Sequence, residues 1–304
     1  MNETRHISGH DIELSHLDKV YFPESGITKG EVLDYYQKIA PHMLPHIKDR
    51  PLTMHRYPEG IEGQHFYQQD ISDYYPDWIA RVTVQKEGGT VTHVLCNDAA
   101  TLLYVVNQGS LVLHSWLSHS DRPNYPDRLV MDLDPPEDIE NLPALRSTAL
   151  RMREAFEGLG LTTFVSTTGS TGYHIYVPIK PEKTYDEVRE FAHGVVTQLT
   201  ERYPDDVTVE QRKVKRGQRI FLDTLRNSYA HTAVAPYSVR ARPGAPVATP
   251  LSWDELEAEP VAPRRYTIKN VFGRLSAGKD PWADMYRHAS SLGAARERPA
   301  RQKA

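Results

Sequence analysis

The sequence predicts an α+β fold in which mixed or antiparallel sheets are flanked by helices, and three observations carry that prediction. Helix starts are written as capping signals, short β-rich runs lie between them, and the two do not alternate strictly as a parallel sheet of βα units requires. Thr28-x-x-Glu31 is a capping box ahead of VLDYYQKIAPHM, and Thr184-x-x-Glu187 is another ahead of VREFAHGVVTQL. Asp98 and Asn141 are expected to cap two further helices, ending near Gln108 and Leu159. Strands are expected at LTMHRY (52–57), RVTVQ (81–85), TVTHVL (90–95), SLVLHSW (110–116), RLVMDLD (128–134), TTFVST (162–167), YHIYVPI (173–179) and RIFLDTL (219–225).

Residues 128–225 then read strand, helix, strand, strand, helix, strand, a unit that holds most of the polar residues found where apolar ones are expected. We take 128–287 as a catalytic core and 1–127 as an N-terminal portion packed against it with no obvious flexible linker, one integrated domain being as consistent as two. The stretch 288–304, rich in Ala, Arg and Ser, is expected to be disordered.

A chain of 304 residues can bury a substantial core without staples. Its single cysteine, Cys96, has no internal partner, and MNETRHISGHDIEL lacks the apolar stretch of a signal peptide, so a reducing, cytoplasmic setting is expected. Apolar runs such as ATLLYVV at 100–106 fall far short of the ~20 residues that cross a bilayer, and no membrane partner is expected. A net charge of −4 argues against a protein that coats nucleic acid with its whole surface. It leaves room for a local basic groove. Between Gln211 and Arg242 stand Arg212, Lys213, Lys215, Arg216, Arg219, Arg226, Arg240 and Arg242, with Asp223 the only acid. That asymmetry suits a polyanion.

In RLVMDLDPP, alternation along a strand points Asp132 and Asp134 the same way while Leu129, Met131 and Leu133 enter the core. Pro135 and Pro136 end the strand at once and leave Asp134 at an open edge. Paired carboxylates repel unless a cation lies between them, and Mg²⁺ or Mn²⁺ favours such oxygen donors. Asp223, in the apolar run RIFLDTLRN, is a candidate third ligand. Three acids of this kind hold two ions ~3.5–4 Å apart in two-metal sites. Surface or turn-capping roles for the same acids stay open on this evidence.

STTGSTG at 166–172 joins two strands, and it reads either as an ordinary hairpin turn or as a phosphate cradle built from hydroxyls and free backbone N–H groups. It is no P-loop, lacking Gly-Lys-Ser/Thr and leading into a strand. His174 follows, either a structural histidine or a phosphate contact. Arg226 and Arg240 fit triphosphate charge through the guanidinium fork, with surface salt bridging as the alternative. His114 in LVLHSW is a candidate for a sugar or phosphate contact, with an isolated structural strand histidine as the alternative. Near the N-terminus Lys19 and Lys29 bracket VYFPESGIT, and His65, Phe66 and Tyr67 follow a Gly-rich turn. Lysines beside exposed aromatics suit a nucleic-acid end, while an aromatic core with two surface lysines would look the same in sequence.

Several stretches taken together, LDKVYFPESGITKGEVLDYY, CNDAATLLYVVNQG, LVMDLDPP, TTGSTGYHIYVP and LDTLRNSYAHTAVAPYSVRARPGAPVATPLSW, resemble the polymerase domain of bacterial ligase D, a member of the archaeo-eukaryotic primase superfamily. The resemblance runs from about residue 12 to 285. It implies a primase-like catalytic core that fills gaps and processes ends during non-homologous end joining, with a preference for ribonucleotides. It implies a nucleoside triphosphate substrate, two Mn²⁺ or Mg²⁺ ions, and DNA with gaps or broken ends that carry a 5′-phosphate. By the same resemblance the partners are a Ku-type end-binding protein and a DNA ligase, in a nucleoid-associated cytoplasmic setting.

Carried over motif by motif, Asp132, Asp134 and Asp223 match the metal-binding acids. His114, Thr168, Thr171, His174, Arg226 and Arg240 match nucleotide contacts, Lys19 and Lys29 the pair that grips the 5′-phosphate, and Phe66 and Tyr67 the aromatic pair near the template. Many relatives have Ser and Lys where this chain has Thr168 and Thr171, which shifts the expected triphosphate affinity toward the arginines. No stretch resembles the ligase and nuclease modules. Rival readings are a de novo primase, a non-catalytic module that binds DNA ends, and a metal-dependent nuclease.

Overall fold

The computed structural model describes residues 1–136, 142–278 and 280–296, so the Asn141 cap lies outside the described residues. The chain forms two compact units. One comprises Met1–Asp121, Thr232–Ala248 and Tyr266–Gly278, the other Arg122–His231, Thr249–Arg265 and Lys279–Ala304. The contiguous division expected at residue 127 therefore does not describe the packing: two later segments return to the first unit.

In chain order the strands up to the middle of the chain are β1 (Glu3–Ile7), β2 (His10–Leu14), β3 (Val20–Phe22), β4 (Ile27–Thr28), β5 (Leu52–Arg56), β6 (Phe66–Gln68), β7 (Arg81–Lys86), β8 (Gly89–Val94) and β9 (Ser110–Trp116). They are followed by β10 (Arg128–Asp134), β11 (Phe164–Thr167), β12 (Tyr173–Pro178), β13 (Val207–Thr208), β14 (Ile220–Asp223), β15 (Thr232–Val234) and β16 (Pro250–Leu251). The longer helices are α1 (Lys29–Ile47), α2 (Ala99–Asn107), α3 (Leu142–Gly158) and α4 (Tyr185–Arg202). Shorter ones are α5 (Lys213–Arg216), α6 (Trp253–Ala258), α7 (Val271–Ala277) and α8 (Leu292–Arg296).

The first unit is built on a four-stranded sheet in the order β15-β9-β5-β6, with the hairpins β1–β2, β3–β4 and β7–β8 beside it. Its segment 232–248 returns because β15 pairs antiparallel with β9, Val234 opposite His114. Both capping-box ends of α1 are made: Thr28 Oγ1 accepts from the Glu31 amide and Glu31 accepts from the Thr28 amide. The face that carries Tyr36, Ile39 and Met43 is buried with Leu103 and Val106 of α2 and Leu113 of β9. The Tyr36 hydroxyl donates to the Leu111 carbonyl at 2.8 Å, which satisfies a polar group inside this core.

The second unit centres on a six-stranded sheet, order β13-β14-β10-β12-β11-β16, in which all neighbours are antiparallel except β13 and β14. Helices α3 and α4 pack on it. Asn227 is fully buried and grips β10 as a strand would, accepting from the Val130 amide at 2.8 Å and donating to the Val130 carbonyl at 2.7 Å.

The tail differs from expectation. Ser290 bridges to Ile179, Leu292 is 2 % exposed, and α8 follows, so residues 288–296 are tied down by a backbone bridge and an apolar anchor that composition alone concealed. Residues 297–304 lie outside the described residues. No helix among the described residues is long and apolar enough to cross a membrane.

Candidate active site

Strand β10 ends at Asp134, where Pro135 and Pro136 withdraw the amides that would continue the ladder. Asp132 pairs in register with His174 of β12 on one side and with Asp223 of β14 on the other. Directly opposed residues of antiparallel strands share a face, and Asp134 lies two residues beyond Asp132. Asp132, Asp134, Asp223 and His174 therefore stand on one face of the sheet. The second unit brings together acids that are 91 positions apart in sequence only because β14 zips against β10.

The charges there are compensated by named partners. His174 Nε2 lies 3.4 Å from Asp132 Oδ1, and Arg226 Nε donates to Asp132 Oδ2 at 3.2 Å. Burial works against ionisation of Asp132, but the His174 and Arg226 charges outweigh it and hold the carboxyl well below the usual carboxylate range. Asp134 is pushed the other way, first by burial and then by the Asp132 charge, against the pull of Arg216 and the Thr171 hydroxyl. Thr171 Oγ1 donates to Asp134 Oδ1 at 3.3 Å and Arg216 Nη1 to Asp134 Oδ2 at 3.4 Å. The Asp223 carboxylate caps the following turn, accepting from the Leu225 amide at 2.7 Å.

Two carboxylates with pKa values driven apart on one strand face are a recognised mark of a functional site. In oxygen-donor type and shared face the three acids fit hard divalent cations. Among the described residues no three His, Cys, Asp or Glu side chains close into a metal cluster. Guanidiniums stand beside the acids instead. His174 is 4 % exposed, and its buried Nδ1 has no partner.

In the sequence Arg216 is only one member of a basic run, yet several contacts hold its guanidinium in this site. Its guanidinium stacks 3.8 Å from the centre of the Phe221 ring and donates to the Glu210 and Gln211 carbonyls. Nothing in its local sequence signals the reach back to Asp134, 82 positions earlier. The basic run itself is divided. Arg212, Lys213, Lys215, Arg216, Arg219 and Arg226 belong to the second unit, Arg240 and Arg242 to the first.

Of the two readings of the 168–172 segment, the observed hydrogen bonds match the hairpin turn. Thr168 Oγ1 accepts from the Ser170 and Gly172 amides, both at 3.2 Å, so these N–H groups close the turn on itself and are not free to cradle phosphate. Gly172 has a specific reason to be glycine: a Cβ there would run into the Leu133 carbonyl oxygen, between the two aspartates.

The first unit holds a separate pocket of about 360 Å³, lined among others by His55, Tyr57, His65, Tyr67, His114 and Arg240. Tyr67 is 62 % exposed and stacks on His55, ring centres 3.9 Å apart, while His55 Nε2 and His65 Nδ1 are 2.9 Å apart. Burial, then His65 and Arg240, push His55 down to about 4, which keeps it neutral. Phe66 does not share this face. It pairs in register with Arg56 and lies under that guanidinium at 5.4 Å, because neighbouring residues of a strand point to opposite sides. The two aromatics expected to act as a pair are thus presented separately.

Lys29 is buried at the first turn of α1 and donates to the Ser15 carbonyl at 2.7 Å. Burial and the nearby Lys19 charge lower it to about 8. Lys19 donates to the Pro58 carbonyl at 2.9 Å and pairs with Glu59 at 2.7 Å.

With this geometry in hand, comparison with known proteins is decisive. The family described as "LigD, primase-polymerase domain" matches residues 28–282. The chain belongs to that family. It is 36% identical over 266 residues to the multifunctional non-homologous end joining protein LigD of Mycolicibacterium smegmatis, covering 87% of this chain and 34% of the relative. It is 30% identical over 278 residues to the bifunctional LigD of Bacillus subtilis, covering 91% of this chain and 44% of the relative. The chain thus spans less than half the length of either. Among solved structures it is similar to the polymerase domain of Mycobacterium tuberculosis ligase D in complex with DNA, with a TM-score of 0.86 at 32% identity, covering 91% of this chain and 99% of that one. The mixed α/β architecture is that of the LigD polymerase domain, and membership of a primase-polymerase family implies a nucleotidyltransferase.

Proposed function

We propose that the protein is a template-directed polymerase that adds nucleotides, ribonucleotides by preference, to 3′ ends in gap filling and end processing during the joining of broken DNA. The observation that carries this reading is the placement of Asp132, Asp134 and Asp223 on one sheet face with cations already aimed at them. In the reaction a primer 3′-hydroxyl oxygen bonds to the α-phosphorus of a nucleoside triphosphate, the bond from that phosphorus to the bridging oxygen breaks, the hydroxyl loses its proton and pyrophosphate leaves. The three aspartates would hold Mn²⁺ or Mg²⁺, which when bound stabilises charge on the attacking and leaving oxygens. His174 and Arg226 keep Asp132 ionised and oriented. Thr171 fixes one Asp134 oxygen and Arg216 the other. Arg226, 41 % exposed at its side chain, is placed to exchange a carboxylate for phosphate oxygens.

In the first unit, the exposed Tyr67 ring offers a stacking surface, and His114 and Arg240 offer polar contacts, for parts of a nucleotide or template. Lys19 and Lys29 form a pair suited to a 5′-phosphate, since both ammonium groups are held by carbonyls a short distance apart in the chain's fold, and burial followed by the Lys19 charge lowers the affinity of Lys29 for its proton. A Ku-type protein and a DNA ligase are the proposed partners, in keeping with relatives that carry this region within longer end-joining proteins.

The test is extension of a primer across a short gap, with the downstream strand bearing a 5′-phosphate or a 5′-hydroxyl, and with ribo- or deoxynucleotides supplied alongside Mn²⁺ or Mg²⁺. Templated addition, faster with ribonucleotides and with the 5′-phosphate, is expected. Binding to the gap with no addition under any of these conditions would favour an end-binding module instead.

A further inference from the structure

The turn that follows β5 brings an acid to the lysine pair. Gly60 has a positive φ of 84°, and a Cβ on it would sit 3.0 to 3.1 Å from the backbone of Val20 and Tyr21, so the turn is seated tightly on β3. Ile61 donates to the Tyr21 carbonyl at 3.0 Å and fixes the same arrangement. Glu59 is therefore delivered to Lys19 by backbone geometry. Its own side chain is 66 % exposed, which leaves it free to turn away. Lys19 does not depend on it for placement, because the Pro58 carbonyl also accepts from its ammonium and the Lys29 amide donates to the Lys19 carbonyl at 2.8 Å.

We infer that Glu59 is a specificity-determining residue for DNA ends: its carboxylate occupies the anion position on Lys19 and must be displaced by an incoming 5′-phosphate, so it sets how strongly the protein prefers phosphorylated ends. This rests on the reading of Lys19 and Lys29 as the 5′-phosphate site. A phosphate dianion carries more charge than the carboxylate and displaces it, whereas a 5′-hydroxyl does not. The carboxylate thus competes with the 5′-phosphate for Lys19 and holds the preference for phosphorylated ends below what the lysines alone would give. It leaves Lys19 paired when no end is bound.

The experiment compares wild type, Glu59→Gln, Glu59→Asp and Lys19→Ala in binding to a fluorescent gapped duplex whose downstream strand carries a 5′-phosphate or a 5′-hydroxyl. The quantity read is the ratio of the two dissociation constants, which a loss of fold would not move selectively. An exposed ion pair of this kind is modest in strength, so Glu59→Gln is expected to raise the preference for 5′-phosphate by about twofold to fivefold at low salt. Glu59→Asp should restore it toward wild type. The gain should shrink as salt rises. A ratio in Glu59→Gln equal to or below that of wild type, with Lys19→Ala abolishing the preference, overturns the role of Glu59 while leaving the phosphate site standing. A preference that survives Lys19→Ala overturns the phosphate site itself, and the inference with it.

Discussion

Replacing Gly172 by Ala probes the acid face without touching an acid. The new methyl group would press on the Leu133 carbonyl oxygen, with the Leu133 carbonyl carbon at 3.0 Å and Pro135 Cδ at 3.2 Å. All of these belong to the segment that carries Asp132 and Asp134, and the nearest atom is backbone, which cannot rotate aside. To reach ordinary contact the two strands must separate by on the order of 1 Å, at a cost of about 1–3 kcal/mol typical of overpacking. A displacement of that size at a reacting centre lowers turnover by roughly a hundredfold. Primer extension and thermal melting should be measured together. Gly194→Ala serves as the control: it lies in α4, a Cβ there meets nothing within 4 Å, and it is expected to stabilise by about 0.5–1 kcal/mol with extension unchanged. Extension by Gly172→Ala at the wild-type rate would refute the claim that the register of β10 against β12 positions the aspartates.

Other outcomes follow from the same contacts. Asn227→Ala leaves the Val130 amide and carbonyl without their partner in a buried place, and a loss of about 3 kcal/mol is expected in urea denaturation, where a loss under 1 kcal/mol would contradict the assigned bonds. Glu187 is held down to about 2 by the Thr184 amide and Lys183; a lowered acid stabilises above its unfolded value of 4.5, and this support is lost as pH falls through about 2. Helicity at the start of α4 should fall over that window in the wild type and not in Glu187→Gln, and identical acid curves would rule the cap out as the cause. Chelation of divalent ions should stop extension without unfolding the protein, as read by circular dichroism, and continued synthesis in the chelator would remove the metal from the scheme.

Much of this was legible in the sequence because it is local. Thr28 with Glu31, Thr184 with Glu187 and Asp98 cap the helices that their spacing announces. Strand alternation in RLVMDLDPP set Asp132 and Asp134 on one face, and the prolines set the end of β10. Ser252-x-x-Glu255, which caps α6, is the same local signal. Long-range pairings carry no comparable local mark. Asp223 meets Asp132 through a strand register, and Arg216 meets Asp134 by lying across Phe221. The return of β15 to β9 likewise depends on a pairing across more than a hundred residues, which no spacing rule within either segment encodes.

The central claim is that the β10 aspartates serve nucleotide addition. Asp132→Ala should be assayed for templated extension on a gapped, 5′-phosphorylated duplex, alongside its melting temperature and its affinity for the same duplex. Extension reduced to background, with folding and end binding largely retained, is the expected result. Extension at a substantial fraction of the wild-type rate would contradict it and require the chemistry to be sought elsewhere in the molecule.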